Sequence, residues 1–284
     1  MTRRDLLRAA LPVALTAPHG VRALTSAAPR FNLGACDWSI GQRGKTEALS
    51  VARKLGLDGV QTSMGGVDND LQLRRADVQE AYRAAAEAAG VRIGGVALDV
   101  MNRVPYKSDP RTVQWVADSI DVARALDVRV VLLAFFDKGD LRNDPSGQAE
   151  VIRRLKAVAP RAEHQGVILG IESWLSADDH LRILDAVGSR HVQVYYDVAN
   201  SHQMGYDIYA EIRRLGRDRI CELHAKENGI LLGEGKIDFA AVRAALDAIG
   251  YEGWIQIEGA VPKGQPMFES YVQNVRFMRS RFGA

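Results

Sequence analysis

The sequence has few cysteines, no long hydrophobic run and almost no excess of charge. Its two cysteines, Cys36 and Cys221, lie outside any C-x-x-C pattern, which argues against a disulfide framework and favours two buried thiols. No apolar run approaches the roughly 20 residues that span a bilayer. The formal net charge of the 284 residues is +2 with both signs interspersed, whereas nucleic-acid binding usually requires a clustered basic face. These absences argue against nucleic acid and against a stable membrane anchor.

The first 28 residues differ from the rest of the chain. The pair Arg3-Arg4 precedes a weakly apolar stretch at 9–15, and small residues follow around 23–28. This order resembles a twin-arginine export signal, and its apolar stretch is too short for a membrane anchor. We therefore predict a signal segment at 1–28 and a periplasmic or otherwise exported protein, with a simple extension on a cytoplasmic protein as the alternative. The predicted folded domain is 29–284.

From Phe31 onward, short β-rich runs alternate with amphipathic stretches. Runs such as Val130–Phe135 are continuously apolar, which is typical of parallel strands buried on both faces. Between the runs, apolar residues recur every three or four positions, which predicts helices. The predicted strands are 32–36, 59–62, 92–98, 128–135, 167–172, 192–198, 220–225 and 254–258. The predicted helices include 78–89, 110–126, 147–164, 178–187, 206–216, 238–249 and 267–281.

This alternation determines the predicted fold class. Strands that alternate strictly with helices form parallel sheets with right-handed crossovers, and eight such units are the number that closes a barrel. We predict an α/β protein with a single (β/α)₈ TIM barrel domain. A doubly wound open sheet is the alternative, which is weakened because no G-x-G-x-x-G pattern follows the first predicted strand.

Each of the last four predicted strands ends on an ionisable residue: Glu172, Asp197, His224 and Glu258. In such a barrel these strand ends lie on one arc of the rim where active sites form. Three carboxylates that converge in a mouth of low dielectric constant repel one another unless a cation compensates them. We predict one divalent metal ion, with manganese favoured and magnesium, cobalt or iron as alternatives, because mixed carboxylate and imidazole ligands suit these ions. Zinc is a further alternative, although its sites more often contain Cys or additional His. In the competing interpretation, no metal is bound and each carboxylate forms a salt bridge with a nearby Lys or Arg.

Other side chains are predicted at the same rim. Trp38, Trp174 and Phe136 follow strand ends, where their rings either stack on a substrate or pack beneath the loops. Lys226 lies two residues after His224 and therefore points to the same side of its strand. It is either a substrate contact or acid, or a salt-bridge partner of the carboxylates. Gly233-Glu234-Gly235 is typical of a turn.

The later strands resemble the xylose-isomerase-like family of sugar isomerases and epimerases, which includes tagatose and allulose epimerases and hydroxypyruvate isomerase. The segments that carry the resemblance are GIES (170–173), YYDVAN (195–200), ELHAKE (222–227), LGEGKIDF (232–239) and GYEGWIQIE (250–258). The resemblance implies that Glu172, Asp197, His224 and Glu258 bind the metal. It also implies that the two glutamates form the acid/base pair. Exported barrel proteins of this kind share the start Cys-Asp-Trp-Ser-Ile at 36–40.

The sequence departs from the epimerases of this family at two places. Those enzymes have a histidine three residues after the strand-six aspartate, where this chain has Asn200, with His202 two residues further on. They also have an arginine in the loop after the strand-seven histidine, where this chain has Asn228-Gly229-Ile230-Leu231. The handling of polar substrate groups must therefore differ, and Trp38, Asn200 and Trp174 are the predicted substrate contacts.

The predicted chemistry is proton transfer next to a metal-polarised carbonyl. Glu172 and Glu258 would remove and return a proton through an enediolate, with Lys226 as a further catalytic candidate. This predicts a metal-dependent isomerase or epimerase for a sugar or keto-sugar. The enzymatic alternative is a lyase or hydratase for 3-keto glycosides, and the non-enzymatic one is a sugar-binding barrel without activity. An apurinic endonuclease on the same barrel is disfavoured, because it would need further histidines at the rim. The sequence leaves open whether the protein forms a homo-oligomer.

Overall fold

The structure, a computed structural model, describes residues 30–283, and the predicted signal segment lies outside them. Eight parallel strands form a closed barrel in sequence order, and the first strand pairs with both the second and the eighth. The strands are β1 Phe31–Cys36, β2 Gly59–Ser63, β3 Arg92–Leu98, β4 Val130–Phe135, β5 Ile168–Ser173, β6 Val192–Asp197, β7 Ile220–Glu227 and β8 Gly253–Gly259. The closed barrel confirms the predicted fold and excludes the open sheet.

Helices surround the barrel on the outside. Their bounds are α1 Glu47–Leu55, α2 Ala76–Ala89, α3 Arg111–Ala125, α4 Pro145–Gln165, α5 Ala177–Val187, α6 Val198–Gln203, α7 Ile208–Leu215, α8 Phe239–Ile249 and α9 Met267–Phe282. In the described part of the chain, no helix is long and apolar enough to cross a membrane.

Several strand bounds differ from the prediction by one or two residues, and the ends of the sixth and seventh strands matter for the rim. The sixth strand ends at Asp197, because the Asp197 side chain accepts hydrogen bonds from the backbone of Ala199 and Asn200 and thereby begins α6 at Val198. The seventh strand continues past the predicted end at 225 and includes Lys226, which pairs with Glu258 of β8. Asp197, Lys226 and Glu258 are therefore held by regular secondary structure.

The strands have buried side chains on both faces, which explains their continuous apolar runs. In β4, Val131, Leu133 and Phe135 belong to the large core beneath the helices. The alternating residues Val130, Leu132 and Ala134 belong to a second cluster that includes Tyr195. The inside of the barrel also holds polar side chains, and Gly34 makes room for one of them, since a Cβ there would lie 2.0 Å from Gln256 Oε1.

Candidate metal centre

The four predicted ligands converge at the rim where the strands end. Glu172, Asp197, His224 and Glu258 each offer a ligand atom, and these atoms all lie within 4.8 Å of one another. His224 Nδ1 is 2.7 Å from Glu172 Oε1, 3.9 Å from Asp197 Oδ2 and 3.6 Å from Glu258 Oε2. The four side chains come from β5, β6, β7 and β8, so the barrel itself fixes their spacing.

The two oxygens of Asp197 have different surroundings. Oδ1 accepts hydrogen bonds from the Ala199 and Asn200 N–H groups at 2.7 and 2.9 Å. Oδ2 is buried, and among residues 30–283 it has no hydrogen-bond partner. A buried oxygen without a partner is unfavourable unless something else compensates its charge. A divalent cation fits this requirement, because Oδ2 faces the other three ligand atoms.

Lys226 supplies part of the compensating charge. Its Nζ donates to Glu258 Oε2 at 2.8 Å and lies 3.5 Å from Asp197 Oδ2. The ion pair that sequence analysis gave as one interpretation of Lys226 is thus present. Three carboxylates and one ammonium leave a formal charge of −2, which a divalent ion beside a neutral imidazole would balance. The donor set therefore fits a divalent metal and leaves the metal's identity open.

The two glutamates differ in their electrostatic surroundings. Burial raises the pKa of Glu172 above its usual range, against the opposing effect of His224. For Glu258, burial acts in the same direction, but His224 and Lys226 together lower the pKa below its usual range. Glu172 thus accepts a proton more readily than Glu258 in the metal-free site.

Trp38 contacts a catalytic candidate directly. Its indole Nε1 donates to Glu258 Oε1 at 2.9 Å, and its ring meets the His224 ring edge-on at 6.4 Å between centroids. The loop that carries Trp38 is held by Asp37, whose Oδ2 accepts hydrogen bonds from Gly44 N, Thr62 Oγ1 and Ser63 N. Asp37 is fully buried, and within the described ranges its Oδ1 has no hydrogen-bond partner.

This arrangement predicts that Asp37 makes stability depend on pH. Burial raises the pKa of Asp37 to about 6, whereas an unfolded aspartate titrates near about 3.9. Between these two pKa values, Asp37 keeps its proton in the folded protein and has lost it in the unfolded one. Protonation of Asp37 therefore stabilises the folded protein at low pH, and this contribution is lost as pH rises through about 6. Asparagine at this position cannot titrate, so the free energy of unfolding of Asp37→Asn should fall less steeply with rising pH than that of the wild type. The two slopes should differ by at most about 1.4 kcal/mol per pH unit. Urea unfolding of both proteins from pH 4.5 to 7.5 measures the difference, and parallel curves would contradict it.

The remaining predicted rim residues occupy varied positions. The Trp174 ring packs edge-on against Phe136 at 5.0 Å, and the Arg142 guanidinium lies 4.7 Å from its centroid. Asn200 is buried at the start of α6, and His202 is exposed on the same helix. The Trp174 ring thus packs against neighbouring side chains, which is one of the two roles that the sequence allows for it. It is half-buried at the rim.

The glycines of the loop after β7 make room for neighbouring side chains. A Cβ on Gly235 would lie 2.2 Å from Glu227 Oε2, and Glu227 Oε1 accepts from the Ile237 N–H at 3.0 Å. Gly233 has a φ of +86° and lies against the ring of Phe277. This segment is the turn that sequence analysis predicted, and the end of β7 holds it in place.

Sequence analysis did not identify the residues behind His224. Its Nε2 lies 2.8 Å from Gln61 Oε1 and 3.3 Å from Cys36 Sγ. Tyr195 packs against the imidazole at 4.6 Å between centroids. The available signals were a glutamine inside the short strand β2 and the alternation of Glu222, His224 and Lys226 along β7.

Comparison with known proteins gives one family and several epimerases. The model of the xylose isomerase-like TIM barrel family matches residues 49–281. A 2-epi-5-epi-valiolone 7-phosphate 2-epimerase from an Actinoplanes strain is 26% identical over 227 residues, which cover 76% of this chain and 81% of that protein.

Solved structures of epimerases share the fold at lower sequence identity. A D-psicose 3-epimerase from Clostridium cellulolyticum H10 aligns with a TM-score of 0.75 and 19% identity, covering 88% of this chain and 99% of that one. A 3-keto-D-glucoside 4-epimerase from E. coli aligns with a TM-score of 0.72 and 16% identity, with the same coverages of 88% and 99%. Because the family model covers most of the sequence, this chain belongs to the xylose isomerase-like TIM barrel family.

Proposed function

We propose that this protein is a divalent-metal-dependent epimerase or isomerase of a sugar or keto-sugar. The observation that carries the proposal is the convergence of Glu172, Asp197, His224 and Glu258, in which the buried Asp197 Oδ2 has no hydrogen-bond partner among residues 30–283. Family membership and the epimerase names of the relatives support the class of reaction. Manganese is the favoured ion, with magnesium, cobalt, iron and zinc as alternatives.

Each residue of the site is assigned a separate role in a proton transfer next to a carbonyl. A bound divalent ion would polarise the substrate carbonyl and stabilise the negative charge of an enediolate. Glu172, on one flank of the site, would remove the proton from the neighbouring carbon. Glu258, on the other flank of the site, would return the proton to the opposite face for epimerisation.

Lys226 and three rim residues are assigned to the surroundings of the reacting carbon. Lys226 holds Glu258 by an ion pair and would also donate a hydrogen bond to a substrate oxygen. Trp38 and Trp174 would present their rings to the sugar, and Asn200 would replace the histidine that related epimerases use. These proposed contacts would distinguish this site from that of an ordinary ketose epimerase.

A substrate screen with an isotope readout tests the proposed function. The protein is loaded with Mn²⁺ and incubated in D₂O with free ketoses, sugar phosphates and 3-keto glycosides. Deuterium at the carbon next to the carbonyl, followed by an epimer or isomer, is the expected result. Loss of a β-substituent would instead establish the lyase or hydratase alternative. Binding without any exchange in the whole panel would favour a sugar-binding barrel and contradict the proposal.

We also propose that the protein is exported by the twin-arginine route, on the basis of Arg3-Arg4 and the short apolar stretch that follows. This route carries folded proteins, so the metal would be loaded before export. Replacement of both arginines by lysine is expected to keep the protein in the cytoplasm. Cell fractionation measures this against the wild type, and an unchanged location would contradict it.

A further inference from the structure

The two ring nitrogens of His224 face opposite surroundings. Nδ1 points at the carboxylates of the candidate metal centre. Nε2 points into the barrel, where it lies 2.8 Å from Gln61 Oε1. Both side chains are fully buried, so no bulk water competes for this contact.

The contact with Gln61 continues as a chain of hydrogen bonds. Gln61 Nε2 donates to the Tyr195 hydroxyl at 3.0 Å, and that hydroxyl donates to Glu222 Oε2 at 3.1 Å. Gly95 leaves space for the chain, because a Cβ there would lie 3.3 Å from Glu222 Oε2 and 3.4 Å from Gln61 Nε2. The chain thus joins β2, β6 and β7 beneath the metal ligands.

The direction of these hydrogen bonds determines which nitrogen of His224 carries hydrogen. An ionised Glu222 only accepts, so Tyr195 donates its single hydroxyl hydrogen to that carboxylate and accepts from the amide nitrogen of Gln61. The amide oxygen is left for His224, and an oxygen of this kind only accepts. Nε2 must therefore carry the hydrogen. In the metal-free structure Nδ1 also lies 2.7 Å from Glu172 Oε1, a hydrogen-bond contact that requires a proton between the two atoms. A bound metal ion would displace that proton, and because a neutral imidazole has only one N–H, held here on Nε2, Nδ1 would then present its lone pair to the ion.

The reverse orientation of the Gln61 amide would have the opposite effect. Its N–H would face Nε2, which would then have to accept, and the hydrogen of a neutral ring would move to Nδ1. A protonated Nδ1 cannot bind a metal ion. The chain from Glu222 to Gln61 thus selects the tautomer that a metal centre requires.

We infer that Gln61 is a positioning residue that fixes the metal-binding tautomer of His224, and that Tyr195 and Glu222 fix the orientation of the Gln61 amide. The inference rests on the proposed metal-dependent function and adds to it a group outside the ligand set. Outer partners of metal-bound histidines orient the ring and typically alter metal affinity by roughly 10- to 100-fold.

Two variants test the inference. Gln61→Leu removes the acceptor, and Tyr195→Phe keeps the ring and Gln61 but removes the hydroxyl that orients the amide. Metal affinity is measured by titration calorimetry with Mn²⁺. Gln61→Leu should weaken binding by about 10- to 100-fold, and Tyr195→Phe should weaken it by a smaller factor. Asn274→Leu is the control, a fully buried amide side chain whose hydrogen bonds with Leu232 N and Ala260 O lie outside this network. It should keep the wild-type affinity.

A spectroscopic measurement separates the tautomer from general destabilisation. In Zn²⁺-loaded protein, the ¹⁵N signals of the His224 ring should show a protonated Nε2 and a metal-bound Nδ1 in the wild type. Gln61→Leu should show a mixture of tautomers or a metal-bound Nε2. A wild type that binds no metal overturns the proposed function. Metal bound through Nε2 in the wild type, or unchanged affinity in both variants with an intact fold, overturns the role of Gln61 alone.

Discussion

Asp197→Asn is expected to abolish most of the metal binding while the barrel stays folded. The Asp197 Oδ1 caps α6, whereas Oδ2 faces the ligand atoms of the other three residues. Asparagine keeps an oxygen for the cap and places an amide group, which carries no negative charge, where Oδ2 stood. The loss of affinity should exceed the roughly 10- to 100-fold that removal of an outer partner costs, because a direct ligand is lost.

The chain provides a matched control for this substitution. Asp207 caps α7 in the same way, by accepting from the Tyr209 and Ala210 N–H groups, and it lies outside the ligand cluster. Elemental analysis of protein purified without chelator should find close to one metal ion per chain in the wild type and in Asp207→Asn. Asp197→Asn and His224→Ala should both lose most of it. Full retention in both ligand variants would refute the metal site.

The fold could be predicted because its signal is local and repeated. Each strand, such as Val130–Phe135, is buried on both faces, and each helix outside it is amphipathic, so every unit of the barrel shows its own pattern in the sequence. The residues at which the strands end could be predicted less accurately. The end of β6 depends on the cap that Asp197 forms, and the extension of β7 depends on pairing with β8, which is a tertiary contact.

The ligand set could be predicted because strand ends of a parallel barrel meet at one rim. The residues that contact these ligands from behind and from the side could not be predicted from the sequence. Gln61 lies 163 positions before His224, and Trp38 lies 220 positions before Glu258. Only the closed barrel brings them together, and each is a common residue type without a spacing rule. Lys226 shows an intermediate case, since alternation along β7 predicted its side and left open whether it pairs with a carboxylate.

The acid/base pair leads to the prediction with the largest expected effect on catalysis. Glu172 and Glu258 come from β5 and β8, on opposite flanks of the site. A carboxylate that binds a cation serves as a base only if its second oxygen faces the substrate. In the metal-free site, the described residues give Glu172 a contact through Oε1 to His224, whereas both oxygens of Glu258 accept hydrogen bonds, from Trp38 and Lys226. The two glutamates are therefore not equivalent.

Replacement of either glutamate by glutamine is expected to lower turnover by roughly 10²- to 10⁴-fold, the usual contribution of a positioned acid or base. Glutamine keeps the size and one oxygen donor, so metal binding should weaken less than in Asp197→Asn. For an epimerase, one of the two variants should still exchange the substrate proton with D₂O without forming the epimer, because it retains the base on one face. Glu258→Gln is expected to be that variant, because it retains Glu172, the glutamate assigned to remove the proton.

Trp38→Phe extends this prediction to the residue that holds Glu258. Phenylalanine keeps an aromatic ring and removes the N–H that contacts Glu258 Oε1, so turnover should fall through misplacement of that carboxylate. In a Glu258→Gln background the same substitution should produce little further loss, because the group it positions no longer transfers a proton. Additive losses in the double variant would show that the indole N–H acts independently of Glu258 and would contradict its role in holding that carboxylate. If both glutamine variants keep near-normal turnover on the true substrate, the two-glutamate mechanism is wrong, and Lys226 is the next residue to replace.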